Sequence, residues 1–224
     1  MVQSRKLRVL LVDDHTLFRK GIAAMLSDRD DMEVVGDVEN GREAIDRARA
    51  VLPDLVLMDV HMPGCDGITA VKAIKKNMPH VKVVMLTAFD DDEDLFAAIK
   101  NGADGYMLKN LTPSQFFNLL EGVTRGEAAI SGVLADRILN EFRKTDEELR
   151  PGKENHPALT AREIETLELL VQGKTNKEIA TLLSVSENTV KRHLVDIMGK
   201  LHLENRIQLA VYAVHQGLDN AISH

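Results

Sequence analysis

Short apolar runs in the first half of the chain each end on a polar residue, and helix-like segments lie between them. The four runs are Leu7–Val12, Leu55–Met58, Val81–Leu86 and Tyr106–Leu108, and a further short strand is predicted at Met32–Val35. Short apolar runs that alternate with amphipathic segments predict parallel strands joined by crossover helices. The sequence therefore predicts an α/β domain with a doubly wound, five-stranded parallel sheet, (βα)5, in the strand order 2-1-3-4-5.

The last part of the chain carries only helix signals. Thr160 with Glu163, and Thr175 with Glu178, have the spacing of a capping box, in which a hydroxyl and a carboxylate bind the first free N–H groups of a helix. Ser186 is a third predicted N-cap. A short helix, a tight turn and a longer helix near residues 176–195 have the helix-turn-helix pattern. We expect an all-α domain of four helices.

These signals divide the chain into three predicted regions. Residues 5–125 form the α/β domain, residues 126–157 a linker, and residues 158–220 the helical domain. In the linker, Leu134, Ile138 and Phe142 recur every fourth position and predict an amphipathic helix. This helix is a candidate surface for docking or for pairing with a second copy of the chain. The alternative is that it packs on its own domain. The polar, Pro- and Gly-containing stretch 151–157 predicts the boundary.

Composition narrows the classes of protein. The chain has 224 residues, enough for two small domains, and no apolar run approaches the ~20 residues of a membrane span. A single cysteine, Cys65, excludes an intramolecular disulfide and fits a reducing cytoplasm. The net charge is −7, and residues 158–224 carry seven basic and eight acidic side chains. Any DNA binding therefore depends on local clusters of charge and on dimerisation.

The polar residues that end the runs have the chemistry of a phosphoryl site. Of the four runs, the first is followed by Asp13 and Asp14, the second by Asp59, the third by Thr87 and the fourth by Lys109. Because the carboxyl ends of parallel strands open onto one edge, we expect these side chains to meet there. Two carboxylates about 5 Å apart, at an effective dielectric near 20, repel by about 3 kcal/mol. A divalent cation relieves this repulsion, and oxygen ligands favour Mg²⁺.

In such a pocket Asp59 is the predicted nucleophile, since a carboxylate that attacks phosphorus gives an aspartyl-phosphate. Lys109 and Mg²⁺ would neutralise the phosphoryl oxygens, and the Thr87 hydroxyl would bind one of them. The backbone carbonyl of His61 is a further candidate metal ligand. The acidic run 91–94 is better explained as a helix N-terminus than as a metal site. The alternative for the strand-end acids is that they are ordinary loop residues.

Four segments carry a family resemblance: residues 12–15, 58–67, 86–88 and 102–109 resemble the receiver domain of bacterial two-component response regulators. The resemblance implies phosphorylation of Asp59 by a sensor histidine kinase and Mg²⁺ at the aspartates. It also implies that Thr87 and Tyr106 are switch residues. Asn110 stands where many receivers have proline, which resembles the NarL/FixJ subfamily.

Residues 159–163, 173–180 and 186–193 are similar to the LuxR-type helix-turn-helix. The helix that begins at Glu187 is expected to enter the major groove. Its polar face and the helix starts supply the predicted DNA contacts. They are Lys174, Thr175, Asn176, Asn188, Thr189, Lys191, Arg192 and Val195. The alternative is a helical bundle that binds protein.

The predicted function is a cytoplasmic, DNA-binding transcriptional regulator without membrane contact, switched by phosphorylation of Asp59. Its predicted partners are a sensor histidine kinase, double-stranded promoter DNA and, when phosphorylated, a second copy of itself. Its only predicted chemistry is self-phosphotransfer and autodephosphorylation. One alternative is a phosphatase of the haloacid dehalogenase type, but His61 stands where that class has its second acid. The other is a phosphorylation-independent DNA binder with a vestigial receiver.

Overall fold

A computed structural model describes residues 5–88, 91–130, 159–203, 205–216 and 218 of the chain. The chain forms two compact units, Met1–Pro113 and Ser114–His224. No helix among the described residues is long and apolar enough to cross a membrane. The predicted amphipathic stretch Leu134–Phe142 and the predicted boundary in 151–157 lie outside the described residues.

Strands and helices alternate from the first strand onward. The strands are β1 (Leu7–Val12), β2 (Met32–Val38), β3 (Leu55–Asp59), β4 (Lys82–Thr87) and β5 (Gly105–Leu108). The helices that follow them are α1 (Thr16–Ser27), α2 (Gly41–Val51), α3 (Gly67–Asn77), α4 (Asp92–Lys100) and α5 (Pro113–Thr124). The strand pairs are parallel, and the order β2-β1-β3-β4-β5 confirms the predicted topology.

The structure contains a sixth strand that the sequence did not predict. This strand, β6 (Ala129–Ile130), lies in the region predicted as linker. Two residues are too few to show the alternation of side chains by which a strand is recognised in a sequence.

β2 is longer than predicted. It continues beyond Val35 through Gly36 and Asp37, because the pairing with β1 resumes after an irregularity at which Leu10 pairs with Gly36. Gly and Asp are depleted in strands, so this extension has no signal in the sequence. In contrast, every residue of β3 is buried, which explains its uninterrupted apolar run.

The C-terminal helices are α6 (Ala161–Val171), α7 (Asn176–Leu183), α8 (Glu187–Leu201) and α9 (Arg206–His215). Both predicted capping boxes are present at the starts of α6 and α7, and Ser186 caps α8 by accepting a bond from the Thr189 N–H. The apolar stripes of the four helices pack into one core, which includes Leu167, Ile179, Val190, Leu194, Ile197 and Leu209. These helices confirm the predicted all-α domain.

Candidate phosphoacceptor site and nucleic-acid interface

Three of the predicted site residues meet at the carboxyl edge of the sheet. Asp59 is the last residue of β3 and Asp13 directly follows β1, whose Val12 pairs with Met58 of β3. Both carboxylates are buried, with 4% and 2% of the residue exposed. Lys109 follows β5, and its Nζ lies 2.8 Å from Asp13 Oδ2 and 2.8 Å from Asp59 Oδ2. One ammonium group therefore joins the two carboxylates.

Burial and the lysine act on Asp59 in opposite directions. Burial raises the pKa of the Asp59 carboxyl, while the hydrogen bond and charge of Lys109 lower it and the charge of Asp13 raises it. The net result is a pKa above the ordinary value. Lys109 also lies over the ring of Phe18, with Nζ 4.8 Å from the ring centre, a distance at which the ring face attracts a cation.

A divalent cation fits the side chains of this pocket. One ligand atom from each of four side chains lies within 4.8 Å of the others: Asp13, Asp14, His15 and Asp59. Carboxylate oxygens are the ligands that Mg²⁺ prefers, and Lys109 contacts the carboxylates of Asp13 and Asp59. The chemistry of the donors thus suits Mg²⁺ at the predicted residues.

The structure places the remaining residues of the predicted pocket as follows. Thr87, at the end of β4, is fully buried, and its carbonyl accepts a hydrogen bond of 2.7 Å from the Lys109 N–H. Tyr106, in β5, is also fully buried. The imidazole of His61 pairs with Asp94 of α4, with Nε2 2.9 Å from Oδ2. The metal role of the His61 carbonyl and the switch roles of Thr87 and Tyr106 stay predictions.

The loop that follows Asp59 depends on a glycine. The Gly67 N–H donates to the Val60 carbonyl at 2.9 Å, so the chain returns closely to the end of β3. A Cβ on Gly67 would lie 2.1 Å from the Asp59 carbonyl oxygen, which is far inside contact distance. Any larger residue at this position would displace the loop beside Asp59.

Arg19 contributes to the site, although the sequence reasoning missed it. This residue of α1 is 5% exposed, and its guanidinium donates to the Asp13 carbonyl, to Asp37 and to Glu39. Arg19 therefore holds the backbone from which the Asp13 side chain extends. The available signal was a cation next to Phe18 and three positions before Ile22, on the face of α1 expected to be apolar.

Helix α8 presents the predicted DNA-reading face to solvent. Asn188, Arg192 and Val195 are exposed, with 62% for Val195, and Lys191 is half-buried. Val190, Leu194 and Ile197 point into the core, as their spacing predicts. A helix with one apolar face in the domain and one polar face in solvent has the form of a recognition helix.

Polar groups at the start of α7 that were predicted to contact DNA already form hydrogen bonds within the protein. The Thr175 N–H and hydroxyl both donate to the Glu178 carboxylate at 2.8 Å. Asn176 is 1% exposed: its amide donates to the Arg125 carbonyl at 2.8 Å and accepts from Arg206 at 2.6 Å. These groups all lie within the second unit. In this conformation Asn176 is part of the interior, and its role at DNA stays a prediction.

Arg206 holds the turn before α7. It is largely buried, which lowers its pKa to about 10, and it also donates to the Lys174 carbonyl at 2.9 Å. Arg206 thus binds the backbone before Thr175, at Lys174, and the side chain after it, at Asn176.

Comparison with known families finds two matches, one for each region. Residues 9–121 match the response regulator receiver domain, and residues 157–213 match the bacterial regulatory proteins of the luxR family. Each match contains the residues assigned above to the phosphoacceptor pocket or to the helix-turn-helix.

Relatives of known type cover nearly the whole chain. The transcriptional regulatory protein LiaR of Bacillus subtilis is 38% identical over 214 residues, which are 96% of this chain and 100% of LiaR. The response regulator protein VraR of Staphylococcus aureus is 37% identical over 212 residues, 95% of this chain and 98% of VraR.

Two solved structures are similar over most of their length. Response regulator ChrA of a heme-sensing two-component system has a TM-score of 0.50 at 34% identity, with 95% of this chain and 98% of ChrA covered. A structure of two RcsB dimers bound to two parallel DNAs has a TM-score of 0.56 at 26% identity, with coverage of 94% and 99%.

Proposed function

This chain belongs to the bacterial response regulators that join a receiver domain to a LuxR-family DNA-binding domain, and we propose that phosphorylation of Asp59 controls its binding to promoter DNA. It is a DNA-binding transcriptional regulator of a two-component system. The observation that carries the proposal is the ammonium of Lys109, 2.8 Å from both Asp13 and Asp59. A sensor histidine kinase is the proposed phosphoryl donor.

The proposed reaction is a transfer to a carboxylate. An Asp59 oxygen attacks the phosphorus of the donor, a new P–O bond forms, and the bond from phosphorus to the donor breaks. Lys109, already against Asp59, would then pair with a phosphoryl oxygen. Asp13, Asp14, Asp59 and the His61 carbonyl would hold Mg²⁺, which supplies positive charge for the phosphoryl oxygens when bound. In autodephosphorylation, water attacks the phosphorus, the bond from phosphorus to the Asp59 oxygen breaks and inorganic phosphate leaves, so that Asp59 returns to its resting state. We propose no other chemistry.

The proposed organisation is a receiver at residues 5–125, a linker at 126–157 and a DNA-binding domain at 158–220. The family matches to 9–121 and 157–213 support these limits. Helix α8 would enter the major groove of promoter DNA in the cytoplasm. We propose that the phosphorylated chain binds as a homodimer, which the two RcsB dimers on DNA support by analogy.

Mass spectrometry of the intact protein tests the phosphoacceptor. With acetyl phosphate and Mg²⁺, the chain should gain one phosphoryl group, and Asp59→Asn or added EDTA should prevent this. Asp54→Asn is the matched control, because Asp54 precedes β3 while Asp59 ends it, so the same exchange is made at the other end of one strand. Retention of the adduct in Asp59→Asn would refute the assignment.

A further inference from the structure

His15 directly follows Asp13 and Asp14, two of the three acidic residues of the pocket. His15 Nδ1 lies 3.0 Å from Asp14 Oδ1 and 3.6 Å from Asp13 Oδ1. The ring is 72% exposed, and Asp14 is 32% exposed, so the pair lies at the open side of the pocket. The carboxylate of Asp59 completes the group, whose ligand atoms all lie within 4.8 Å of one another.

These separations match the spacing of atoms that share one metal ion. In octahedral coordination with bonds of about 2.1 Å, neighbouring ligand atoms are about 3 Å apart and opposite ones about 4.2 Å. The separations of His15 Nδ1 from Asp14 and Asp13, 3.0 and 3.6 Å, are close to the neighbouring spacing. The nitrogen can therefore share an ion with these oxygens with little movement of the ring.

We propose that the His15 imidazole is an additional ligand for a divalent cation in the pocket formed by Asp13, Asp14 and Asp59, and that it shifts selectivity from Mg²⁺ toward Mn²⁺ and other transition-metal ions. This inference rests on the proposed function, since it concerns the same metal site. Imidazole nitrogen binds first-row transition metals well, whereas Mg²⁺ prefers oxygen. A nitrogen ligand therefore strengthens Mn²⁺ binding and adds little for Mg²⁺.

The described structure gives the His15 side chain contacts with Asp13 and Asp14 but no role in capping α1. His15 stands at the N-cap of α1, but its side chain makes no capping hydrogen bond in the described structure. Its backbone N–H donates to Asp13 Oδ1 at 2.8 Å, a bond that any residue except proline would supply. Removal of the imidazole should leave α1 and the loop intact, so the side chain can be tested separately from the fold.

Direct metal binding to the full chain tests the proposal without a phosphodonor. Free Mn²⁺ is measured by electron paramagnetic resonance in a titration of the natural chain and of His15→Ala. We expect Mn²⁺ affinity to fall about tenfold or more in His15→Ala, the scale of effects seen at metal-site partners, with Mg²⁺ affinity nearly unchanged. Pulsed measurements on bound Mn²⁺ should show coupling to an imidazole nitrogen in the natural chain, and this coupling should be absent in His15→Ala.

Two variants define the site. His80→Ala is the matched control, since His80 is exposed in the loop before β4, at the amino end of that strand, and it should bind Mn²⁺ like the natural chain. Asp13→Asn should lower the affinity for both Mn²⁺ and Mg²⁺. In the natural chain, added Mg²⁺ should displace the bound Mn²⁺ whose spectrum shows the nitrogen coupling. Equal Mn²⁺ affinity in the natural chain and His15→Ala, or nitrogen coupling that survives in His15→Ala, would overturn the inference.

The two proposals fail in different ways. If His15→Ala binds Mn²⁺ normally while acetyl phosphate still labels Asp59 in Mg²⁺, only the role of His15 is wrong. If the pocket binds neither metal and Asp59 takes no phosphoryl group, the proposed function fails as well.

Discussion

The Lys109 ammonium contacts two of the carboxylates that would hold the proposed cation. Nζ lies 2.8 Å from one oxygen of Asp13 and one of Asp59, both of which are proposed metal ligands. A bound cation would therefore compete with Lys109 for the negative charge of these buried carboxylates. Each stabilises the fold most when the other is absent, because two buried carboxylates without a nearby positive charge strongly destabilise a folded protein.

Lys109→Ala should therefore couple the stability of the protein to Mg²⁺. In EDTA we expect the free energy of unfolding of this variant to be about 2–4 kcal/mol lower than that of the natural chain, since two buried carboxylates lose their partner. Added Mg²⁺ should raise its melting temperature more than that of the natural chain, because a ligand that binds only the folded state stabilises in proportion to its affinity. Scanning calorimetry with and without Mg²⁺ measures both effects.

The control is Lys20→Ala, which removes an exposed lysine 2.8 Å from Asp37. In EDTA, Lys20→Ala should lower the free energy of unfolding only slightly, and Mg²⁺ should raise its melting temperature as much as that of the natural chain. An equal response to Mg²⁺ in Lys109→Ala and the natural chain would contradict the competition.

Asp59→Asn should stabilise the protein at neutral pH, by on the order of 1 kcal/mol, because it removes a buried charge. Burial raises the pKa of Asp59 above its ordinary value of 3.8, so its ionised form disfavours the folded state. This cost is complete above the folded pKa and disappears as the pH falls through that pKa toward 3.8. The gain from Asp59→Asn should therefore shrink with acidification. Calorimetry in EDTA between pH 7 and pH 4 checks this, and a gain that grows at low pH would contradict it.

At the scale of single residues, sequence reasoning found the groups whose chemistry is visible in their type and position. Asp13, Asp59 and Lys109 each stand at the end of an apolar run, and parallel topology alone brings them together. Arg19 and His15 were not found, because their roles depend on distances across the pocket. A helical arginine and a loop histidine are usually exposed, and only the packing distinguishes a buried Arg19.

Among the elements, helix α6 depends on a carboxylate that serves two partners. Glu163 accepts from the Thr160 N–H at 2.8 Å and pairs with Lys200 of α8 at 2.7 Å. The pKa of Glu163 lies below its ordinary value of 4.5. The largest cause is the hydrogen bond from Lys200, and the next is the hydrogen bond from the Thr160 N–H. The capping box thus also connects α6 to α8.

Glu163→Gln should destabilise the C-terminal helices by about 1–2 kcal/mol at pH 7, because it weakens a cap and removes a charged hydrogen bond. A carboxyl with a lowered pKa stabilises fully above its unfolded pKa and loses this effect as the pH falls through the folded pKa. The difference from the natural chain should therefore be constant above about pH 5 and decline below pH 4.5. Calorimetry across this range measures it.

Glu165→Gln is the matched control on the same helix. Glu165 pairs with Arg162 at 2.6 Å, but both side chains are about half exposed, and surface pairs of this kind contribute little. If Glu165→Gln costs as much as Glu163→Gln, the effect belongs to general charge on α6 and not to the cap.

Elements with a local chemical signal were predicted well, and those that depend on pairing were not. Each capping box spans only four consecutive residues, so the sequence alone predicted where α6 and α7 begin. The extension of β2 through Gly36 and Asp37 forms only because β1 offers backbone partners. The same holds for β6, since a two-residue strand exists only beside another strand.

For the whole molecule, the charge of the DNA-binding region limits how it can bind. Residues 158–224 carry seven basic and eight acidic side chains, which leaves little attraction to phosphates in general. Arg192 is exposed and Lys191 half-buried on one face of α8, so local contacts must provide most of the affinity of one copy. Two linked copies bind more tightly than one, because the second contact is made at a high effective concentration.

Control of DNA binding by the receiver should therefore appear as a difference among three forms of the protein. We expect the fragment 155–224 to bind target DNA without phosphorylation, the resting full chain to bind more weakly, and the phosphorylated chain to bind most tightly and cooperatively. In the fragment, Arg192→Ala should cost about 1–3 kcal/mol if the side chain reads a base. Lys177→Ala, an exposed change on α7, is the control. Gel-shift titrations measure all of these, and equal affinity of the three forms would mean that phosphorylation does not control DNA binding.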